Sequence, residues 1–284
     1  MTIKQHGILK VVPIDEITNL TPDDCRVPIK SITLTIPELV EFALPGQFAM
    51  LWLYGVDEKP MGIAGCDFDK DTISFAVAKI GKATEAIHRL KKGDLLGVRG
   101  TYGNGFYVTG KEIAVIGGGT GIAPTKFLVE DALDREFKVT LFHGARAEEE
   151  LAYRDYFEDL AKKDSNFIYK PSTDDGSCGF EGFSTNCFEA SFGEGATYNH
   201  IYACGPELMM YNAFQIAKAK KIPFQACLAD RYFKCAVGLC GQCTVDPLGL
   251  RFCIDGPVLN QDQLEKVSDF GKYGRDKYGK KVPL

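Results

Sequence analysis

Residues 112–123 read EIAVIGGGTGIA. An apolar run that breaks at once into glycines marks a buried strand entering a turn whose backbone can approach a phosphate closely. The next stretch, PTKFLVEDALDREF (124–137), spaces Phe127, Leu128, Ala132 and Leu133 as one face of a helix. The first N–H groups of that helix and its positive dipole end favour an anion. Gly117, Gly118, Gly119, Thr120 and Gly121 are therefore candidate dinucleotide-binding residues. The alternative is a turn that only packs a strand on a helix.

The flanking sequence repeats the pattern. KVTLFHGAR (138–146) and NFIYKPSTDD (166–175) read as strands, and HIYACGPELMMYNAFQIAKAK (200–220) as a strand, a Cys-Gly-Pro turn and a helix. Strands alternating with helices form a parallel sheet that binds ligands at its C-terminal strand ends. Gly117–Thr120, Gly144–Arg146 and Cys204–Glu207 fall on that one edge. From Leu9 to Arg99 the pattern changes to short alternating runs, SITLTI, GQFAMLWL, TISFAVAKI and DLLGVRG, punctuated by Gly, Pro and Asp. That pattern predicts a small antiparallel barrel, with ATEAIHRLKKG (83–93) as its one helical stretch.

Cys235, Cys240, Cys243 and Cys253 are spaced C-x4-C-x2-C-x9-C. The spacing differs from the paired C-x2-C knuckles of structural zinc and matches the plant-type [2Fe–2S] loop with its distant fourth cysteine. Gly238 and Gly241 permit the positive φ angles that wrap a backbone around a cluster. TVDPLGLRF (244–252) reads as strand, Asp-Pro turn, strand, which returns Cys253 to the side of Cys243. A zinc site or unligated core cysteines are the alternatives. Asp230, a conceivable oxygen ligand, reads as a surface residue because four thiolates complete the set.

With 284 residues, the chain is longer than one hydrophobic core usually covers. Its 45% hydrophobic and 25% charged residues are those of an ordinary globular protein. A formal charge of −5 without a long basic run argues against nucleic acid or an anionic membrane as the main partner. The start lacks a secretory signal's apolar segment, and no stretch reaches the ~18 apolar residues of a membrane span. A cytoplasmic location is expected, where a reducing environment turns clustered cysteines toward metal or redox work.

Barrel first and nucleotide sheet second, the chain resembles the ferredoxin-reductase-like flavoproteins. Their flavin motif, Arg-Pro-x-Ser/Thr, corresponds to KPMGIAG (59–65), with Lys59, Pro60, Met61 and Gly62 at its four positions; Lys59 replaces the arginine and Gly62 the hydroxyl residue. GKATEAI (81–87), with Gly81 and Thr84, corresponds to the family's pyrophosphate site, and GTYGNGF (100–106) to the turn that closes the barrel. With a C-terminal cluster added, the plan is similar to the electron-transfer subunits of heterodimeric, NAD-linked dihydroorotate dehydrogenases, which have close counterparts of LADRYFKCAVGLCGQC and CIDGPVL. Related subunits of sulfite reductases, cytoplasmic hydrogenases and bifurcating ferredoxin:NADP oxidoreductases share it, the last with Asp in place of Cys235.

The resemblance implies an N-terminal antiparallel β-barrel for FAD (1–108), an α/β parallel-sheet NAD(P)-binding domain (109–226), and a [2Fe–2S] module with a C-terminal tail (227–284). It implies that a nicotinamide stacks on the flavin and gives it hydride, and that single electrons then pass through the cluster to or from a catalytic partner subunit. That partner is expected to contain FMN and oxidise dihydroorotate. Cys204 and Glu207 would lie near the nicotinamide, although Cys204 also reads as core packing. Arg146 would meet a phosphate or pair with the acidic EEE (148–150), and His143 reads as structural. The acidity of RAEEEL (146–151) favours NADH over NADPH, with Arg146 and Lys170 the candidate cations for the latter. The tail beyond Val258 could pack on a partner or form a solvated arm. A self-sufficient reductase and a zinc-binding nucleotide sensor are the competing functions.

Overall fold

A computed structural model describes residues 8–229, 231–275 and 280–284. Asp230 lies outside these residues. The first unit is a curled antiparallel sheet. It is built from β1 (Lys10–Pro13), β2 (Glu16–Asn19), β3 (Ile29–Thr35), β4 (Phe48–Leu53), β5 (Asp57–Asp67), β6 (Thr72–Ala78) and β7 (Leu95–Tyr102), in the order β1-β7-β4-β5-β6-β3-β2. Two short helices, α1 (Pro37–Val40) and α2 (Lys82–His88), cover its ends.

The expected closed barrel is corrected: β1 and β2 form the two free edges, and no ladder joins them. They are consecutive in the chain, so the seam is crossed by the chain itself. The Ile14 N–H donates to the Asp94 carbonyl (2.9 Å) and the Asp15 N–H to the Thr33 carbonyl (3.0 Å), one to each side of the seam. Closure by sequence, instead of by a ladder, satisfies these groups in two residues.

The second sheet comprises β8 (Glu112–Gly118), β9 (Lys138–Ala145), β10 (Phe167–Thr173), β11 (Phe180–Glu181), β12 (His200–Cys204) and β13 (Phe224–Cys227), all parallel. Helices α3 (Ile122–Asp134), α4 (Arg154–Lys163), α5 (Ser184–Gly193) and α6 (Glu207–Lys220) connect them. The sheet is mixed, a second correction. After the hairpin of β14 (Thr244–Val245) and β15 (Leu250–Arg251) and the turn of helix α7 (Phe252–Asp255), strand β16 (Val258–Asn260) pairs antiparallel with β13. The stretch beyond the cysteines thus completes the nucleotide sheet. It continues into α8 (Gln261–Lys266), capped reciprocally by Asn260 and Gln263, and the hairpin β17 (Tyr273–Arg275) and β18 (Lys281–Pro283). Leu264, Val267 and Phe270 bury themselves with Met210 and Phe214 of α6, so the tail packs on its own chain through Phe270, while residues 280–284 are exposed.

The strand order β10-β9-β8-β12-β13 reverses direction between β8 and β12. Such a reversal opens a crevice above the strand ends. Helix α3 starts there and packs its other face on the first sheet: Phe127 belongs to that sheet's core, and Lys126 donates to the Ala64 carbonyl. The Gly-rich turn and the strand carrying KPMG therefore flank one helix.

Candidate functional site

Three turns meet above the reversal point. Cys204 pairs with Gly117 in register, and a Cβ at Gly121 would run into the backbone of Cys204 and Gly205. At Gly118 it would lie 2.8 Å from Met209 Sδ. Only Gly119 and Thr120 at the tip are exposed, and Gly119 has a φ of +54° with open space beside it. The glycines let two turns lock backbone to backbone while the tip stays open to a ligand. Arg146 is also exposed on this edge, and its guanidinium forms no ion pair among the described residues. The acidic run engages Arg154 instead, through Glu148, and Glu158 of α4 joins the same guanidinium.

Cys204 and His143 are inside the protein. Cys204 is 1% exposed and packs with Tyr202, Cys227 and Val258. His143 bonds to the Tyr169 hydroxyl through Nδ1 (3.0 Å), and burial pushes its pKa down to about 3. Glu207 begins α6 but faces inward. One oxygen accepts from Arg231 (2.6 Å) and from the Gly271 N–H (3.1 Å). Arg231 has a side chain only 6% exposed, and among the described residues its Nε and Nη1 have no hydrogen-bond partner.

On the first sheet, Lys59 pairs with Asp57 at 2.6 Å, both about half exposed. Pro60 and Met61 lie opposite Met50 and Ala49 in the β4–β5 ladder. Gly62 meets the nucleotide half directly: a Cβ there would come within 2.7 Å of Pro124 Cγ. That contact leaves no room for a hydroxyl-bearing residue in this arrangement of the two sheets. Thr84 spends its hydroxyl on its own helix, accepting from the N–H groups of Ile80 and Gly81 and donating to the Gly81 carbonyl. Free backbone N–H groups at the start of α2 are what remain for a phosphate.

The four cysteines stand in two pairs. Leu239 and Cys240 direct their N–H groups at Cys235 Sγ (3.3 and 3.4 Å), and the Cys253 N–H is directed at Cys243 Sγ (3.5 Å). Positive φ at Ala236, Gly238 and Gly241 turns these N–H groups inward. Partial burial works against the Cys235 thiolate, but the N–H groups of Cys240, Val237 and Leu239 bring its pKa down to about 6. Burial, then the neighbouring Cys243, raises Cys253 to about 12. Cys240 is exposed, whereas Cys243 and Cys253 are buried. The β14–β15 hairpin supplies the return, with Thr244 opposite Arg251. Among the described residues no three His, Cys, Asp or Glu side chains converge as a single-ion site. Two thiol pairs on a loop with inward N–H groups fit a two-iron cluster, which the four thiolates would hold.

Sequence reasoning missed Arg99 and Arg231. Arg99 lies on β7 and reaches the Cys235 carbonyl through Nη1 (3.0 Å). Beside it, Phe233 packs on Phe48 of β4 with ring centroids 4.6 Å apart. The available signal for Arg99 was a lone charge in the apolar run LLGVRG.

Residues 115–215 match the family "Oxidoreductase NAD-binding domain", and residues 230–265 match "Iron-sulfur cluster binding domain of dihydroorotate dehydrogenase B". A protein of Methanocaldococcus jannaschii, named "Probable dihydroorotate dehydrogenase B (NAD(+)), electron transfer subunit", is 42% identical over 92% of this chain and 98% of its own length. The chain belongs to the family of dihydroorotate dehydrogenase B electron-transfer subunits. A similarly named family member from Methanocella arvoryzae is 38% identical over 95% of this chain and 97% of its own. Among solved structures, one described under "flavin-based electron bifurcation via the NADH-dependent reduced ferredoxin-NADP oxidoreductase" shares the fold with a TM-score of 0.78 at 22% identity, covering 92% of this chain and 94% of that one. A ferredoxin NADP+ reductase from Neisseria gonorrhoeae, solved with FAD and NADP, has a TM-score of 0.62 at 21% identity, covering 74% and 91%. An NAD-binding domain and a smaller iron–sulfur-binding domain are present in this electron-transfer subunit. Among the described residues no helix is long and apolar enough to cross a membrane.

Proposed function

We propose that this subunit relays electrons between NAD(H), an FAD on its first sheet and a [2Fe–2S] cluster at Cys235, Cys240, Cys243 and Cys253, to or from a catalytic partner that oxidises dihydroorotate to orotate. The observation that carries the reading is the contact of the cysteine loop with the first sheet, Arg99 to Cys235 and Phe48 to Phe233. With α3 bridging the Gly-rich turn and β5, three candidate cofactor positions adjoin one another. FAD supplies the conversion between a two-electron hydride donor and a one-electron cluster.

The chain's own residues then have positioning roles. The tip at Gly119 and Thr120, with the N-terminus of α3 and the exposed Arg146, would receive the dinucleotide phosphates. Cys204 would form a small, dry floor beneath the nicotinamide. Glu207 would act through Arg231, by fixing the turn after β12. Lys59 and the N–H groups opening α2 would hold the flavin phosphates, with Pro60, Met61 and Gly62 shaping the strand beneath. NADH is the expected dinucleotide: Asp174, Asp175, Glu148 and Glu149 lie on or beside that edge, and Lys170 is already paired with Glu194.

Val237, Leu239 and Ile254 are exposed around Cys240, and Leu239 is 85% exposed. This apolar collar supports a docked redox partner at the cluster face. The test is anaerobic co-purification from native extract, with visible and EPR spectra and a dihydroorotate:NAD+ assay on the complex. A yellow-brown complex with an FMN-containing dihydroorotate-oxidising second subunit is the expected result. A different redox subunit would retain the relay and replace the substrate, and a colourless zinc protein would overturn both.

A further inference from the structure

Arg99 is a half-buried cation at a junction that the relay leaves unexplained. Its neighbours on β7 are apolar or glycine, and its side chain is 16% exposed. Nε and Nη2 each donate to Glu58 at 2.6 Å as a bidentate fork. Nη1 donates to the Tyr102 hydroxyl (2.9 Å) and to the Cys235 carbonyl (3.0 Å). Glu58 immediately precedes Lys59 on β5, Tyr102 lies in the turn-closing GTYGNGF, and Cys235 opens the cluster loop. One guanidinium thus ties the strand of the flavin motif to the first candidate cluster ligand. Lysine could not make this arrangement, because it lacks the planar fork.

We infer that Arg99 is a positioning residue, holding the cluster loop on the flavin-side sheet and favouring the reduced cluster through its charge. The inference rests on the cluster and flavin reading above. Arg99 gains and loses no electron; the cluster accepts one and becomes more negative by one charge. A guanidinium against the peptide of a cluster ligand stabilises that added charge. Glu58 opposes it, from the far side of the guanidinium. In a site so poorly exposed to water, neither effect is fully screened.

A purely mechanical tie and an electrostatic one predict different signs. Arg99→Gln removes the cation, so the cluster potential should fall. Glu58→Gln removes the opposing carboxylate and leaves Arg99 in place, so the potential should rise. Arg99→Lys should restore most of the potential while leaving the loop looser, read as faster hydrogen exchange of the amides in 235–243. The experiment is an EPR-monitored redox titration of the holoprotein and these three variants, with hydrogen exchange on the same samples. Opposite shifts in Arg99→Gln and Glu58→Gln are the expected result. Shifts of the same sign, or none, would overturn the inference. If Arg99→Gln fails to hold a cluster, Glu58→Gln still decides: a raised potential supports the inference, and a lowered or unchanged one overturns it. Absence of a [2Fe–2S] signal from the unaltered protein would instead overturn the cluster reading itself.

Discussion

At the scale of residues, burial separates the groups that can act from those that only hold. His143 is held neutral inside the protein, and its pKa is lowered to about 3. In the unfolded chain it takes a proton near pH 6.5, so at lower pH the unfolded state binds more protons than the folded one. Its contribution to stability is therefore fully present above about pH 6.5 and is lost as the pH falls toward 3, on the order of 1 kcal/mol per pH unit. Thermal melts from pH 7 to 4 should show a shallower decline for His143→Gln than for the unaltered chain. For Cys240→Ser we expect NADH-dependent flavin reduction to persist while delivery to the partner falls at least tenfold. Stopped-flow absorbance at flavin and cluster wavelengths reads the two steps separately, and equal loss of both would refute a serial route. The cysteine spacing was readable because ligand geometry fixes it locally. Arg99 and Arg231 were not, since their partners Cys235 and Glu207 lie 136 and 24 residues away in the chain.

At the scale of elements, tight contacts between turns and helices make small residues informative. Gly62→Ser would restore the hydroxyl of the family's flavin motif but drive a Cβ into Pro124. Overpacking of this kind costs about 1–3 kcal/mol. Chemical denaturation should show that loss, and adding Pro124→Ala should recover most of it. Gly118→Val meets the flexible end of Met209, so the fold should survive while the turn is reshaped. Its expected signature is a KM for NADH raised tenfold or more with an unaltered cluster spectrum. The βαβ half was legible where a segment carries its own apolar pattern, in β8, β9, β10, β12, α3 and α6, whereas α4, α5, β11 and β13 were not read from the sequence. The edge strand β16 was not: three residues carry too little pattern, and their place is set by pairing with β13. The open seam of the first sheet was hidden for a related reason. Alternation identifies strands, but whether the last pair closes depends on where the chain crosses.

At the scale of the whole molecule, the Glu207–Arg231 pair joins the nucleotide half to the approach to the cluster loop. Both side chains are 6% exposed. Breaking a buried pair by removing one partner costs about 3–5 kcal/mol, whereas replacing both can be neutral. Glu207→Met or Arg231→Met alone should therefore lower the melting temperature sharply, and the double variant should regain most of it. The exposed apolar collar around Cys240 gives the complementary test of the proposed docking: Leu239→Asp should weaken co-elution with the partner and leave the visible spectrum intact.

The strand β16 also bears on the order in which the chain is made. Strand β13 leaves the ribosome with one side unpaired, and its covering strand follows only some thirty residues later. All four cysteines lie in the interval between them. An unpaired sheet edge is an invitation to aggregate, so the nascent chain gains from closing it quickly. Closure also fixes the two ends of the cysteine loop.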